Sequence, residues 1–293
     1  MVSGNMRSLF LVIGVFGAGV VAGQATWSQK RVIADSAIPP SNPFTPQMRM
    51  GANLYLQTSA EYRAACLQTF RCASNRLDQL LDASDITGSR PAVIMDLDET
   101  VLDNSAFQTY LYLTSQDYTD VLWANYEQNF SKDVTLIPGA KEFISDATAK
   151  GAEVVFLSNR LEVFQSSTIA AMERLGVAGE KVEDRLYLKK DKDAPSDKSA
   201  RRDRISAKYN VLLVIGDNLR DFAEVFANPK LSAAPTAQDL LTAISQRKQD
   251  VDLAAIHWGQ NWFILPNPVY GEWDRLIKVD PISLMHPTSM PVE

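Results

Sequence analysis

The sequence predicts an α/β fold in which a Rossmann-like parallel sheet is flanked by helices. Three short apolar runs, at 92–95, 152–157 and 211–215, have the length and composition of strands buried on both faces of a parallel sheet. Segments with helical spacing lie between the runs, and each run ends abruptly in polar residues. Since ligands of open α/β sheets bind at the carboxyl ends of the strands, these polar residues predict the position of a functional site.

The N-terminal part of the chain is predicted to lie outside the folded domain. A basic residue precedes an uncharged run at 9–21 that leads into small residues, which is the layout of a signal peptide over 1–25. The run is shorter than the roughly 20 apolar residues that a membrane span needs, and an uncleaved anchor at 8–23 is the alternative. Residues 26–46, which end in a stretch with four prolines in nine positions, are predicted to be a linker.

Residues 47–81 have the apolar spacing of one long amphipathic helix. Cys66 and Cys72 are six positions apart and therefore point to different sides of such a helix, so both are predicted to be free and buried. A zinc site is not expected, because the two histidines of the chain, His257 and His286, are far in sequence from both cysteines.

Acidic residues follow the first predicted strand directly. Asp96, Asp98, Glu99 and Asp103 fall within eight positions. Burying an unpaired carboxylate costs free energy, so packing alone gives no reason for this cluster at the end of a core strand. Two carboxylates separated by one residue can hold a divalent cation, or can divide the roles of nucleophile and proton donor. The alternative is an acidic loop that caps the strand.

Further polar residues stand beside the other predicted strands. They are Ser158, Asn159 and Arg160 after the second strand, Lys198 before the third, and Gly216, Asp217 and Asp221 after the third. A single motif of this kind is weak evidence. Four motifs follow one another in order, each at a strand end: Asp-x-Asp-x-Thr, a hydroxyl, a lysine and Gly-Asp-x-x-x-Asp. Together they are strong evidence for a catalytic function.

This ordered set resembles the haloacid dehalogenase superfamily of phosphatases. The closer resemblance is to the exported family of class C acid phosphatases and 5′-nucleotidases, some of whose members are outer-membrane lipoproteins. It depends on the motifs at 59–62, 96–104 and 265–273, and it covers roughly 48–273.

The resemblance implies the layout of the chain. A haloacid dehalogenase fold is expected over 47–278, with the long helix at its N-terminus and a small helical cap insertion at about 104–137. Residues 279–293 are expected to form a tail.

The resemblance also implies catalytic roles. Asp96 is expected to be the nucleophile that forms an aspartyl-phosphate, while Asp98 protonates the leaving group and then activates water. Ser158 and Lys198 are expected to hold the phosphoryl oxygens. Lys198 is preferred to Lys189 because it stands at the start of the helix that leads into the third strand.

Magnesium is the cofactor that the resemblance implies. The side chains of Asp96 and Asp217 and the main-chain carbonyl of Asp98 are its expected protein ligands, since Mg²⁺ prefers oxygen donors. Asp221 is expected to act behind these ligands or to reach the ion through water.

Substrate contacts are expected from four residues. Trp123, in the insertion, faces the substrate in this interpretation, and Tyr270 either completes an aromatic clamp or packs on the domain as a loop tyrosine. Asn159 and Arg160 follow the catalytic serine closely enough to bind substrate. Arg160 contacts a phosphate or a ribose, or forms a structural salt bridge instead.

The expected function is that of an exported, Mg²⁺-dependent acid phosphatase acting on small phosphate monoesters, with nucleoside 5′-monophosphates and nicotinamide mononucleotide as candidates. Phosphotransfer through the same intermediate and a non-catalytic storage or binding protein on this fold are the alternatives. A net charge of −6 and a pI near 5.1 argue against nucleic-acid polymers as partners.

A periplasmic or secreted location is expected. The chain lacks the cysteine at the cleavage site that anchors lipoprotein relatives, so membrane contact is expected only through an uncleaved N-terminal segment. A homodimer is an expectation from the family alone.

Overall fold

A computed structural model of the chain describes residues 49–83, 89–277, 281 and 284–285. The predicted signal peptide or anchor at 1–25, the linker at 26–46, His286 and most of the tail at 279–293 lie outside the described residues. No helix in the described ranges is both long and apolar enough to cross a membrane.

A parallel sheet of five strands forms the centre of the fold. The described strands are β1 Pro91–Met95, β2 Leu102–Asp103, β3 Thr135–Leu136, β4 Glu153–Leu161, β5 Leu186–Lys189, β6 Asn210–Gly216 and β7 Trp262–Ile264. The order across the main sheet is β5-β4-β1-β6-β7. The three predicted strands are β1, β4 and β6, which are neighbours, and Met95 pairs with Phe156 and Ile215 at their carboxyl ends. The α/β prediction is confirmed.

Helices cover both faces of this sheet. They are α1 Met50–Thr58, α2 Ala60–Ala83, α3 Ser105–Thr114, α4 Asp120–Asn129, α5 Ala140–Ala149, α6 Gln165–Leu175, α7 Ser199–Lys208, α8 Leu219–Phe222, α9 Ala237–Leu253 and α10 Glu272–Ile277. Alternate residues of β1 point to two apolar clusters. Val93 and Met95 pack in the cluster that includes α2 and α5, and Ala92 and Ile94 pack in the cluster that includes α7. This burial on both faces explains the uninterrupted apolar run.

The N-terminal helical segment is two helices, so the prediction of one helix over 47–81 is wrong. Ser59, between α1 and α2, has an extended backbone, and its Oγ accepts a hydrogen bond of 3.0 Å from the amide of Tyr62. A serine in this arrangement caps the N-terminus of a helix. Cys66 is free and buried as predicted, whereas Cys72 is free but exposed.

The segment predicted as a helical insertion contains α3 and α4. It also contains β3, which pairs antiparallel with β2 through Leu102 and Leu136. No strand was predicted there, because a strand of two residues is too short to show an alternating pattern.

Candidate active site

The carboxyl ends of β1, β4 and β6 meet at one edge of the sheet, as predicted. Asp96 follows β1 directly, and its amide donates to the carbonyl of Ile215 in β6 at 3.0 Å. The polar group at 158–160 lies inside β4 rather than after it, because β4 continues to Leu161 by pairing with Lys189 of β5. The strand boundary was therefore predicted four residues too early.

Lys198 connects two of the predicted carboxylates. Its Nζ donates to Asp96 Oδ1 at 2.6 Å and to Asp221 Oδ1 at 2.7 Å, and all three side chains are buried. Burial alone would lower the pKa of Lys198, but Asp221 and Asp96 together raise it above its ordinary value. Lys189 also borders the site, yet its Nζ donates to the main-chain carbonyl of Lys192. The geometry thus favours Lys198 as the lysine that acts beside Asp96.

The carboxylates of Asp96, Asp217 and Asp221 form a compact cluster, with one oxygen of each lying within 4.8 Å of the others. Burial raises the pKa of Asp96 to about 7, although Lys198 opposes the rise. Burial also raises the pKa of Asp217 well above its ordinary range, and Asp221 and Asp96 add to it. A cation placed among three such carboxylates would offset their repulsion.

The donor set of this cluster fits a hard divalent cation, since every ligand atom is an oxygen. Asp217 is oriented from two sides, by Thr100 Oγ1 at 3.3 Å from its Oδ1 and by Asn267 Nδ2 at 2.8 Å from its Oδ2. Among the described residues, no hydrogen bond reaches Asp96 Oδ2. That oxygen therefore remains for a metal ion or for a reacting group.

The loop after β6 places Asp221 by close packing. A Cβ atom at Gly216 would lie 2.5 Å from Asp221 Oδ2, so only glycine fits there. Asp221 Oδ2 also accepts a hydrogen bond of 2.9 Å from the amide of Asn218, which caps α8. The Gly-Asp-x-x-x-Asp spacing noted in the sequence is thus explained by backbone geometry.

Asp98 is held by neighbours of its own. Arg160 Nη2 donates to its Oδ1 at 2.7 Å, and Asn104 Nδ2 donates to the same oxygen at 2.9 Å. Of the two alternatives for Arg160, the structure shows the salt bridge. Asn104 was not singled out from the sequence, because nothing in its local pattern shows that it faces Asp98.

Ser158 is fully buried at the base of the cleft, and its Oγ accepts from the amide of Arg160 at 3.1 Å. The exposed Asn159 uses its amide within the protein, because Oδ1 accepts from Arg201 Nη2 at 2.6 Å and Nδ2 donates to the carbonyl of Ser196 at 3.1 Å. Arg201 also donates to the Ser158 carbonyl at 2.6 Å. Arg201 therefore fixes the backbone of Ser158, a contact that the sequence did not indicate.

A cleft of about 470 Å³ opens above these groups, and all ten residues predicted for the site line it. Trp123 is half-buried and packs edge-on against Phe107, with 5.3 Å between ring centroids. The amide of Tyr270 donates to Asn267 Oδ1 at 3.3 Å. No ring contact joins Trp123 to Tyr270 in the described part of the chain, although both border the cleft.

This geometry defines the class of the protein as a phosphoric monoester hydrolase with a haloacid dehalogenase fold, because a lysine and a carboxylate cluster surround an aspartate at the end of the first sheet strand. The chain belongs to the HAD superfamily, subfamily IIIB (acid phosphatase). The sequence model of this family matches residues 27–273.

Solved structures agree with this assignment. The class C acid phosphatase from Bacillus anthracis with tungstate bound is 27% identical, with a TM-score of 0.66 over 80% of this chain and 90% of that chain. Another structure of the class C acid phosphatase from Bacillus anthracis is also 27% identical, with a TM-score of 0.65 over 79% of this chain and 89% of that chain.

Family membership establishes the general activity, which is hydrolysis of phosphate monoesters. Phosphatases of this superfamily generally use a divalent metal ion, in agreement with the carboxylate cluster. Class C acid phosphatases are generally exported proteins.

Proposed function

We propose that this chain is an exported, Mg²⁺-dependent acid phosphatase that hydrolyses nucleoside 5′-monophosphates or nicotinamide mononucleotide through a phosphorylated Asp96. The observation that carries the proposal is the position of Lys198 Nζ, 2.6 Å from Asp96 Oδ1 and 2.7 Å from Asp221 Oδ1. A buried ammonium group at this point lowers the repulsion between the nucleophile and an approaching phosphate dianion.

In the first step, Asp96 Oδ2 attacks phosphorus and the bond from phosphorus to the leaving oxygen breaks. Asp98 gives its proton to that oxygen, so the alcohol leaves neutral. Ser158 and Lys198 donate hydrogen bonds to the phosphoryl oxygens. The hydroxyl proton of Ser158 is available for this, because its Oγ accepts from a backbone amide.

In the second step, Asp98 accepts a proton from a water molecule while the water oxygen attacks the phosphorus of the aspartyl-phosphate. The bond from phosphorus to Asp96 breaks, and inorganic phosphate leaves. Proton transfer of this kind contributes about 10²–10⁴-fold to a rate. Because Asp98 is protonated again at the end of the step, the site is ready for another ester.

Mg²⁺ is the ion that we propose for the carboxylate cluster. The side chains of Asp96 and Asp217 and the main-chain carbonyl of Asp98 would hold it, with Asp221 reaching it through water. When bound, the ion supplies positive charge that offsets repulsion between the carboxylates and the phosphoryl group. Thr100 and Asn267 orient Asp217 for this role.

The aromatic residues of the cleft are proposed to select the ester. A nucleobase or a pyridine ring that stacks on Trp123 or Tyr270 would gain about 1–3 kcal/mol per ring. Arg160 and Asn159 are committed to hydrogen bonds with protein groups, so substrate contact is assigned to the aromatic side chains instead.

Export to the periplasm or out of the cell is proposed from the uncharged run at 9–21 together with the family's general export. Cleavage would release a soluble enzyme, and retention of 8–23 would anchor it to the membrane. A homodimer is proposed on the family resemblance alone.

Phosphate release from p-nitrophenyl phosphate, AMP and nicotinamide mononucleotide tests this proposal. We expect Mg²⁺-dependent release that EDTA abolishes, a higher kcat/KM for the nucleotides, and loss of that preference in Trp123→Ala. Phosphoglycerol formed when glycerol is added would instead indicate phosphotransfer. Absence of release from every ester by the folded, Mg²⁺-loaded protein would contradict the proposal and favour a binding protein.

A further inference from the structure

Arg160 is a buried cation whose contacts lie away from the carboxylate cluster. Its side chain is 1% exposed. Nη2 donates to Asp98 Oδ1 at 2.7 Å, and Nε donates to Asp98 Oδ1 at 3.0 Å and to Oδ2 at 3.3 Å. Nη2 also reaches Asn104 Oδ1 at 3.2 Å. A charged group this deeply buried is retained only where it is paired, and here its closest partner is Asp98.

The two oxygens of Asp98 accept different numbers of hydrogen bonds. Oδ1 accepts from two nitrogens of Arg160 and from Asn104 Nδ2, whereas Oδ2 accepts one longer hydrogen bond. A carboxylate whose Oδ1 is fully occupied cannot rotate without breaking three hydrogen bonds. Oδ2 is therefore the oxygen left to exchange a proton in the cleft.

Glu127, on α4, lies behind Arg160. It is 1% exposed, its Oε1 accepts from Thr168 Oγ1 at 3.0 Å, and the same oxygen is 3.9 Å from Arg160 Nη1. Arg160 Nη1 and Glu127 Oε2 have no hydrogen-bond partner among the described residues. The contact between the two side chains thus joins Nη1 to Glu127 Oε1, and this buried pair supports Arg160 from the side of α4.

We propose that Arg160 is a positioning residue for Asp98, and that Glu127 holds Arg160 so that helix α4 takes part in orienting the proton donor. The inference rests on the proposed function, since it assumes that Asp98 exchanges the proton. Arg160 acts through Asp98 and does not bind the phosphate or a ribose. The guanidinium carbon also lies 5.5 Å from the centroid of the Trp123 ring. Arg160 therefore contacts both Asp98 and an aromatic side chain that borders the cleft.

The dependence of kcat/KM on the leaving group distinguishes a role in orienting Asp98 from a purely structural role, which would affect all esters alike. p-Nitrophenolate leaves as a stable anion and needs little protonation, whereas the alkoxide of glycerol phosphate must receive a proton. The value of kcat/KM reports the steps up to loss of the leaving group. A defect in orienting Asp98 should therefore reduce kcat/KM much more for the alkyl ester than for the aryl ester.

The experiment compares kcat/KM for both esters in four variants of the holoenzyme. Asp98→Asn should lose about 10²–10⁴-fold on glycerol phosphate and far less on p-nitrophenyl phosphate. We expect Arg160→Met to lose about 100-fold on the alkyl ester and under about 10-fold on the aryl ester. Arg160→Lys and Glu127→Gln should also lose more on the alkyl ester than on the aryl ester, with a loss in kcat/KM of about 3–10-fold on the alkyl ester.

Arg185→Met is the matched control. Arg185 is a part-buried arginine that donates to the Val154 carbonyl at 2.8 Å and pairs with Glu153, and it does not border the cleft. Its loss should lower stability and change both esters equally. If Arg160→Met fails to fold, Arg160→Lys and Glu127→Gln test the positioning role instead. Arg160→Lys keeps the buried positive charge, and Glu127→Gln keeps the size and shape of the glutamate side chain.

Equal losses on both esters in Arg160→Lys and Glu127→Gln, beside an unequal loss in Asp98→Asn, would overturn this inference alone. An equal loss in Asp98→Asn, or no wild-type activity on either ester, would overturn the proposed role of Asp98 and the inference together.

Discussion

At the scale of single residues, the site depends on one buried ammonium group among carboxylates. Lys198 contacts Asp96 and Asp221, and burial raises the pKa of Asp96 to about 7 despite that contact. The free energy of such a cluster is therefore governed by charge compensation rather than by packing. Replacing Lys198 by an uncharged residue should therefore lower kcat/KM more than replacing any other lysine that borders the cleft.

Lys198→Met is expected to lower kcat/KM for p-nitrophenyl phosphate by at least about 100-fold, because no side chain then offsets the repulsion between Asp96 and the phosphoryl group. Lys189→Met is the control, since its Nζ donates to a main-chain carbonyl, and a change under about 3-fold is expected. The reverse ranking would identify Lys189 as the catalytic lysine.

Asn267→Ala should weaken Mg²⁺ binding by about 10–100-fold, since Asp217 loses the amide that orients its Oδ2. Calorimetric titration with MgCl₂ measures this directly, without reference to activity. Asn125→Ala, at an exposed asparagine of α4, should leave the affinity unchanged. Equal affinities in the wild type and Asn267→Ala would show that Asn267 does not support the metal site.

At the scale of elements, single polar contacts fix the break between the N-terminal helices and the packing of the inserted helix α4. The break between α1 and α2 depends on the cap at Ser59, which belongs to one of the motifs that carry the family resemblance. Helix α4 meets α6 through the hydrogen bond from Thr168 to Glu127. Both contacts make separate predictions about stability.

Ser59→Ala should reduce the free energy of unfolding by about 0.5–2 kcal/mol, because the amide of Tyr62 loses its side-chain acceptor. Ser145→Ala, at an exposed position inside α5, is the matched control and should have a smaller effect. Urea denaturation at neutral pH measures the difference. A Ser59→Ala effect no larger than that of the control would mean that the cap does not stabilise α2.

Glu127→Gln should gain stability over the wild type as the pH rises. Burial raises the pKa of Glu127 from 4.5 to about 7, so between these values the folded wild type retains a proton that the unfolded chain has released. Wild-type stability therefore falls through this window, by about 1–3 kcal/mol, and the glutamine variant lacks this loss. Unfolding free energies at pH 4.5, 6 and 7.5 provide the measurement, with the exposed Glu142→Gln as the control for net charge. A difference in unfolding free energy between Glu127→Gln and the wild type that stays constant across these pH values would contradict the raised pKa of Glu127.

At the scale of the whole molecule, the sheet and the principal site residues could be predicted from sequence for one physical reason. Fully buried strands require uninterrupted apolar runs, and parallel pairing brings their carboxyl ends together. Asp96 was found because it directly follows such a run, and Asp217 because only Gly216 separates it from one. Lys198 was selected through the order of motifs that the family shares and its position at the start of the helix that leads into the third strand.

Other parts of the site depend on contacts between distant segments, which local patterns do not reveal. Asn104 and Asn267 lie within motifs that carry the family resemblance, and Arg201 lies outside them, but no local pattern shows what the three side chains contact. The helix break at Ser59 was missed because the apolar spacing continues across it. The exposure of Cys72 was missed because an amphipathic pattern defines a face only approximately.

Trapping of the phosphoenzyme tests the central claim, the nucleophilic role of Asp96, most directly. Mg²⁺-loaded protein is mixed with p-nitrophenyl phosphate, quenched in acid within one turnover and digested for mass spectrometry. The account predicts one phosphoryl group on the peptide that contains Asp96, sensitive to hydroxylamine and absent from Asp96→Asn. Ester hydrolysis by the wild type with no phosphoryl group on that peptide, or hydrolysis retained in Asp96→Asn, would contradict it.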